Sequence, residues 1–458
     1  MKAFILSFLI LFSAAQANSK SLKNYMQNGW YFSALHRFLL DYGKAPTISK
    51  DHLKVLESLL TRTGVEVLQD YRQELIERFD SPSIHFHFGR AFVERGDFDN
   101  AIKKLKLVPE SHRYASEALY LKAFAETKRG KKLGEVGNDL NLCISLAKQK
   151  EKKVSSGPLA RYYQFIRESC VIFAARESFN QNEWQKSLDY YRSVSKKSFK
   201  WPNLLLEMAW STYHLGDYNR SLGVLVTYQN PLLESYFFPE AELLTAMNYF
   251  RLCLWEDTLN VVDHFYEEYK NKTEVLHRIL ISQKDSQTYF YDLLRMKAQE
   301  REKIHPFVHK LALQISKEMR YMLDMSTIKK IDIELVKIKK ADAKNTKMIA
   351  HLEALKENWK GRINFYAKEQ YIRFINQVYF FSEEMFKIKL EVLSQKKDLI
   401  YKKRELVSSR SRGSFSEVNR SRFEYFWKFN GSFWADELGD YSFGLQSNCQ
   451  TRRKGDKL

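Results

Sequence analysis

The stretch SPSIHFHFGRAFVERGDFDNAIKKLKLVP, residues 81–109, sets the fold class. Its Gly89, Phe92, Gly96, Phe98, Ala101, Leu105 and Val108 fall at the offsets of two helices joined by a tight turn. A small residue in the first helix lets the second approach closely, a glycine turns the chain, and a second small residue receives a neighbouring helix. The registration repeats. Ala123 follows Gly89 by 34 residues, with Gly130 at its turn. Ala175 and Ala209 are again 34 apart, the latter within LLLEMAWSTYHLGDYNRSLGVLVTY (204–228), where Gly216, Tyr218, Ser221 and Leu225 keep register. A fifth unit centres on Ala246, with Tyr249, Trp255, Val262 and Phe265, after a three-residue insertion at Asn230-Pro231. Ala123 and Ala175 are 52 apart, and the 18 extra residues are expected as a longer loop around 148–158.

A helix–turn–helix period of 34 residues is that of the tetratricopeptide repeat (TPR). The predicted fold is therefore all-α, a TPR-like α-solenoid of about five repeats over 81–270. Only 17 Gly and 8 Pro in 458 residues agree, being too few for the turns of an all-β chain. Residues 18–80, where Gly29, Tyr31, Ala34 and Phe38 echo a turn and second helix, are expected as a helical N-terminal cap.

Beyond the repeats, 271–407 is predicted to form long basic helices, antiparallel and coiled-coil-like. Ile328, Ile331, Leu335 and Ile338 step by three and four, as do Phe374, Val378, Phe381, Met385, Ile388 and Val392. The polar run 341–347 is either the reversal between two helices or an exposed part of one. Residues 408–422 read as a flexible linker and 423–458 as an aromatic C-terminal tail. So many aromatics must dock, either on the chain's own helices or on a partner.

Residues 1–17 read as a signal peptide: Lys2, an apolar run from Phe4 to Phe12, and an Ala15-Gln16-Ala17 exit. The expected location is outside the cytoplasm, in the periplasm or cell envelope of a Gram-negative bacterium. Cys143 and Cys170 flank the turn Ser155-Ser156-Gly157-Pro158 and are a candidate disulfide, with two separate buried thiols as the alternative. Net charge is +19, and residues 301–412 carry 26 Lys/Arg against 14 Asp/Glu. Such a segment is either a solvated helix face or a surface for anionic membrane, cell-wall polymer or acidic protein; nucleic acid is not an expected partner of an exported chain.

The chain has no H-E-x-x-H, G-x-S-x-G, P-loop or Rossmann fingerprint, so neither an enzyme nor a cofactor is expected. His85 and His87 sit two apart and face different directions; His305 and His309 share a helix face without a third ligand nearby, so no metal is expected. N-x-S/T sequons such as those at Asn271, Asn419 and Asn430 are near chance.

Two stretches carry a family resemblance. One runs from Trp201-Pro202 through Leu206-Glu207-Met208-Ala209-Trp210 and Leu215-Gly216-Asp217-Tyr218 to Phe238-Pro239-Glu240-Ala241. The other runs from Trp427 through Trp434-Ala435-Asp436-Glu437-Leu438-Gly439-Asp440-Tyr441 to Cys449. On these the chain resembles the exported TPR proteins of predatory and gliding delta-proteobacteria, of the Bdellovibrio and Myxococcus kind. The resemblance implies a scaffold, with some relatives looking like parts of envelope-spanning motility machinery.

Registration places Arg90, Phe124, Arg176, Trp210, Tyr213, His214, Met247 and Arg251 on the exposed side of the first helices, as candidate contacts in a partner-binding groove. The alternative for Trp210 is packing between repeats. The expected function is a non-catalytic envelope scaffold. The alternatives are a basic adaptor on membrane or peptidoglycan and, remotely, a cell-wall-cleaving enzyme built on a helical solenoid.

Overall fold

The computed structural model describes residues 22–154, 156–233, 236–296, 304–401, 418, 420, 422 and 424–449, without the side chains of 270 and 271. The expected signal peptide and most of the expected linker lie outside these residues. Among the described residues the fold is all-helical and contains no strand.

Helical hairpins follow one another along the chain. They pair α4 (Pro82–Arg95) with α5 (Phe98–Leu105), and α6 (Ala115–Lys128) with α7 (Leu133–Val154). Next come α8 (Pro158–Asn180) with α9 (Trp184–Arg192), α10 (Trp201–His214) with α11 (Tyr218–Val226), and α12 (Pro239–Arg251) with α13 (Trp255–Ser282). Before them lie α1 (Tyr31–Tyr42), α2 (Lys50–Thr63) and α3 (Gln73–Ile76); after them come α14 (Tyr289–Arg295), α15 (Pro306–Ser316), α16 (Met319–Ala341) and α17 (Thr346–Tyr401).

One register runs through the five hairpins. Ala123, Ala175, Ala209 and Ala246 are fully buried, and a Cβ on Gly89 would meet the Leu105 side chain at 2.6 Å. Seven residues after each comes a left-handed turn residue: Gly96 (φ 78°), Gly130 (93°), Asn182 (62°), Gly216 (76°) and Cys253 (57°). After the Gly96 and Gly216 turns, Asp97 and Asp217 cap the second helix through the Asn100 and Arg220 N–H groups. Ala101, Ser187, Ser221 and Thr258 then lie buried in that helix, and Ser221 Oγ donates to the Ala209 carbonyl at 2.9 Å.

The extra residues between Ala123 and Ala175 do not form the expected long loop. They lengthen α7 to 22 residues and α8 to 23, because neither Gly nor Pro occurs between Gly137 and Gly157-Pro158. The run 341–347 is a reversal: α16 ends at Ala341, α17 begins at Thr346, and Lys339–Glu353 and Lys356–Asp332 pair across the antiparallel arms at 2.7 and 2.6 Å.

The chain divides into two compact units, 1–173 with 319–363, and 174–318 with 364–458. The first unit uses carboxylates of other helices as helix caps. Glu334 accepts from the Phe32 and Ser33 N–H groups at the start of α1, and Glu57 from the Ser83 N–H and hydroxyl at the start of α4. Burial raises the Glu334 carboxyl. Burial pushes Glu57 up as well, but hydrogen bonds from His112 and Ser83 outweigh it and bring the carboxyl to about 2. The core of the second unit packs Val262, Phe265 and Tyr269 of α13 and Val308, Leu311 and Ile315 of α15 against Tyr371, Phe374, Val378 and Phe381 of α17.

Candidate functional site

Six of the eight groove positions lie in the second unit, where each is engaged by a neighbouring side chain. Arg176 of α8 makes a two-point ion pair with Glu207 of α10, at 2.8 Å from Nε and 2.6 Å from Nη2. The Trp210 indole donates to Glu240 of α12 at 2.8 Å, and Arg251 Nε donates to the Tyr213 hydroxyl at 2.9 Å. Three successive first helices are thereby joined by side chains that the register marks as groove-facing. His214 stacks on Trp184 with ring centroids 4.4 Å apart and lies 6.0 Å from Trp210. Met247 packs at the edge of the core.

The electrostatics divide this face. Glu207 answers Arg176, and Glu240, raised by burial, accepts the Trp210 hydrogen bond. Arg251 is exposed and pairs with no carboxylate among the described residues; its Tyr213 hydrogen bond pushes its pKa further up. Burial lowers the His214 pKa, with Arg251 adding to the effect. The face therefore offers aromatic area beside an unneutralised guanidinium.

The other two positions, in the first unit, are committed internally. Arg90 pairs with Glu66 at 3.1 Å within a buried ionic cluster that includes Glu117, whose carboxylate accepts from Tyr162 at 2.6 Å. Asp324 of α16 belongs to the same surroundings, and burial raises its carboxyl to about 6. Phe124 packs edge-on against Phe98 at 6.3 Å and tilted against Phe173 at 6.0 Å.

The tail divides in two. Residues 436–449 form a strap over α11 and the end of α12. Gly439 N–H donates to Thr227 Oγ1 at 3.0 Å, Phe443 N–H to the Asn219 carbonyl at 3.0 Å, and Asn448 N–H to the Leu252 carbonyl at 2.9 Å. Gly223 admits the strap, since a Cβ there would lie 1.9 Å from the Tyr441 carbonyl oxygen. Lys196 meets Asp440 at 2.6 Å, and Cys449 is bonded to Cys253. Tyr425, Trp427, Phe429 and Trp434, by contrast, remain exposed, around a cleft of about 950 Å³.

Cys143 and Cys170 are joined, tying α7 to α8. Sequence reasoning missed the second bond. Its signal was a cysteine seven residues after Ala246, where the other hairpins place Gly or Asn.

Among the described residues no three His, Cys, Asp or Glu side chains are grouped to hold a metal ion. His85 meets Asp80, His87 meets Gln73, and His305 caps α15 by accepting the Phe307 N–H. No described helix is long and apolar enough to cross a membrane. No protein-family model matches the chain, and no curated protein is similar to it.

Proposed function

We propose that this chain is a non-catalytic scaffold of the bacterial cell envelope, built on TPR-type hairpins, that holds a protein partner on the first-helix face of its second unit. One observation carries the reading. The small residue, the left-handed turn residue and the second small residue recur in register, which is the packing logic of a repeat array that stacks to present a continuous face. On that face Trp210 and His214 supply aromatic area, and Arg251 supplies a positive charge for a partner carboxylate or backbone carbonyl. Pairing of all four cysteines supports an exported chain, because structural disulfides persist in oxidising compartments. The resemblance to delta-proteobacterial proteins extends the proposal to an envelope-spanning assembly such as motility machinery.

A basic adaptor is favoured less, because several of its cations are already matched: Lys339 by Glu353, Lys356 by Asp332, Lys389 by Asp263 and Lys396 by Glu256. Salt separates the two readings, since charge-driven adsorption fades at high ionic strength. The direct test is crosslinking and retrieval from native envelope with Trp210→Ala combined with Arg251→Ala. The expected result is loss of the partner with helix content unchanged. Retrieval at the unmodified protein's level would refute the groove.

A further inference from the structure

Helix α17 carries two stripes of the same period. The first, Ala367, Tyr371, Phe374, Val378, Phe381 and Met385, is buried in the second unit's core. The second, Phe365, Ile372, Tyr379, Phe386, Leu393 and Ile400, repeats every seven residues on the outer side. Phe365 is 63% exposed, Tyr379 52%, Phe386 55%, Leu393 47% and Ile400 62%. The hollows along this face are lined by residues of α17 alone. Because the buried stripe has the same period, the outer one stays on one side of the helix for roughly 50 Å, at about 1.5 Å per residue.

One exposed apolar residue in every seven, widened by Phe380 and Leu390, makes a continuous apolar face of the kind that packs along another helix. We infer that the outer stripe of α17 pairs two copies of this chain in an antiparallel, two-fold helix pair. The six stripe positions are centred on a point between Ser382 and Glu383. Antiparallel pairing sets Phe365 opposite the partner's Ile400, Ile372 opposite the partner's Leu393, and Tyr379 opposite the partner's Phe386, which closes with two-fold symmetry.

Charge decides the direction. The residues four beyond the apolar ones are Glu369, Asn376, Glu383, Leu390 and Lys397, all exposed. A parallel pair would oppose three like charges: Glu369, Glu383 and Lys397, each against its own copy. An antiparallel pair brings Glu369 within one residue of the partner's Lys397 twice, and leaves only Glu383 beside its own copy near the axis. Opposite charges across a helix seam set partner orientation.

Sedimentation equilibrium of the purified protein at micromolar concentrations tests this. A dimer is expected, and Tyr379→Glu with Phe386→Glu should give a monomer of unchanged circular dichroism. Should that variant not fold, the charge series decides. Glu369→Lys and Lys397→Glu each turn two attractions into repulsions and should weaken association about tenfold, while the double variant restores it. A wild-type monomer at about 100 μM would overturn the pairing. So would failure of the double variant to recover, or a stripe that binds anionic vesicles or a different helix without self-association.

Discussion

Asn219 holds Leu445 from both sides: its Oδ1 accepts the Leu445 N–H at 2.9 Å and its Nδ2 donates to the Leu445 carbonyl at 3.1 Å. One buried amide of α11 thereby replaces the strand neighbour that the extended strap lacks. This satisfies both backbone groups where water is excluded. The strap is thus part of the fold, fastened over the hairpin that carries Trp210 and Tyr213.

Gly223→Ala should lift the strap without harming the helix beneath it. Alanine is the better helix former by about 1 kcal/mol, yet its Cβ would collide with the Tyr441 carbonyl, a backbone group that cannot rotate away. Hydrogen exchange at Gly439, Phe443 and Leu445 should accelerate at least about tenfold while α10 and α11 stay protected. Unchanged exchange in the strap would show that it sits elsewhere.

Cys253 combines a left-handed backbone with a disulfide that closes a span of 196 residues. With Cys449→Ser in both proteins, Cys253→Gly should be more stable than Cys253→Ser by about 1 kcal/mol, because glycine alone adopts positive φ without steric cost. Urea unfolding checks the order. Equal stabilities would mean that the turn does not constrain this position.

His36 and His351 stack in the first unit with centroids 3.6 Å apart. Burial lowers both, with Arg37 adding to the effect at His36; His351, with His36 beside it, falls to about 4. The folded pKa is depressed, so the unfolded chain binds the proton first. This contribution is complete above about pH 6.5 and is lost as pH falls from there toward 4. His351→Phe keeps the stack and should flatten that part of the pH profile, by at most about 3 kcal/mol at pH 4. Parallel profiles for the two proteins would contradict it. Glu57 governs a lower window: its depressed pKa gives stability that is complete above about 4.5 and lost toward 2.

The hairpins were legible because packing two helices closely leaves a local trace. Gly89 and Ala123, then Gly96 and Gly130, are small or turn-forming for reasons contained within one hairpin. The candidate groove was legible only as positions. Whether Arg90 or Arg251 is available depends on Glu66 and Tyr213, which lie 24 and 38 residues away. The long-loop expectation near 148–158 failed because an insertion can extend two paired helices as readily as a loop, when no breaker stops them and a disulfide ties them.

Sequence alone determined the helical class, the period and the direction of the charge excess, since each follows from spacing and composition. Only the tertiary structure decided which cysteine meets which, where the tail lies, and that one stripe of α17 is buried while another of the same period is largely exposed. Those outcomes depend on residues brought together from up to 244 positions apart, as Lys196 and Asp440 are. No local preference encodes such a meeting; it exists only once the helices have packed.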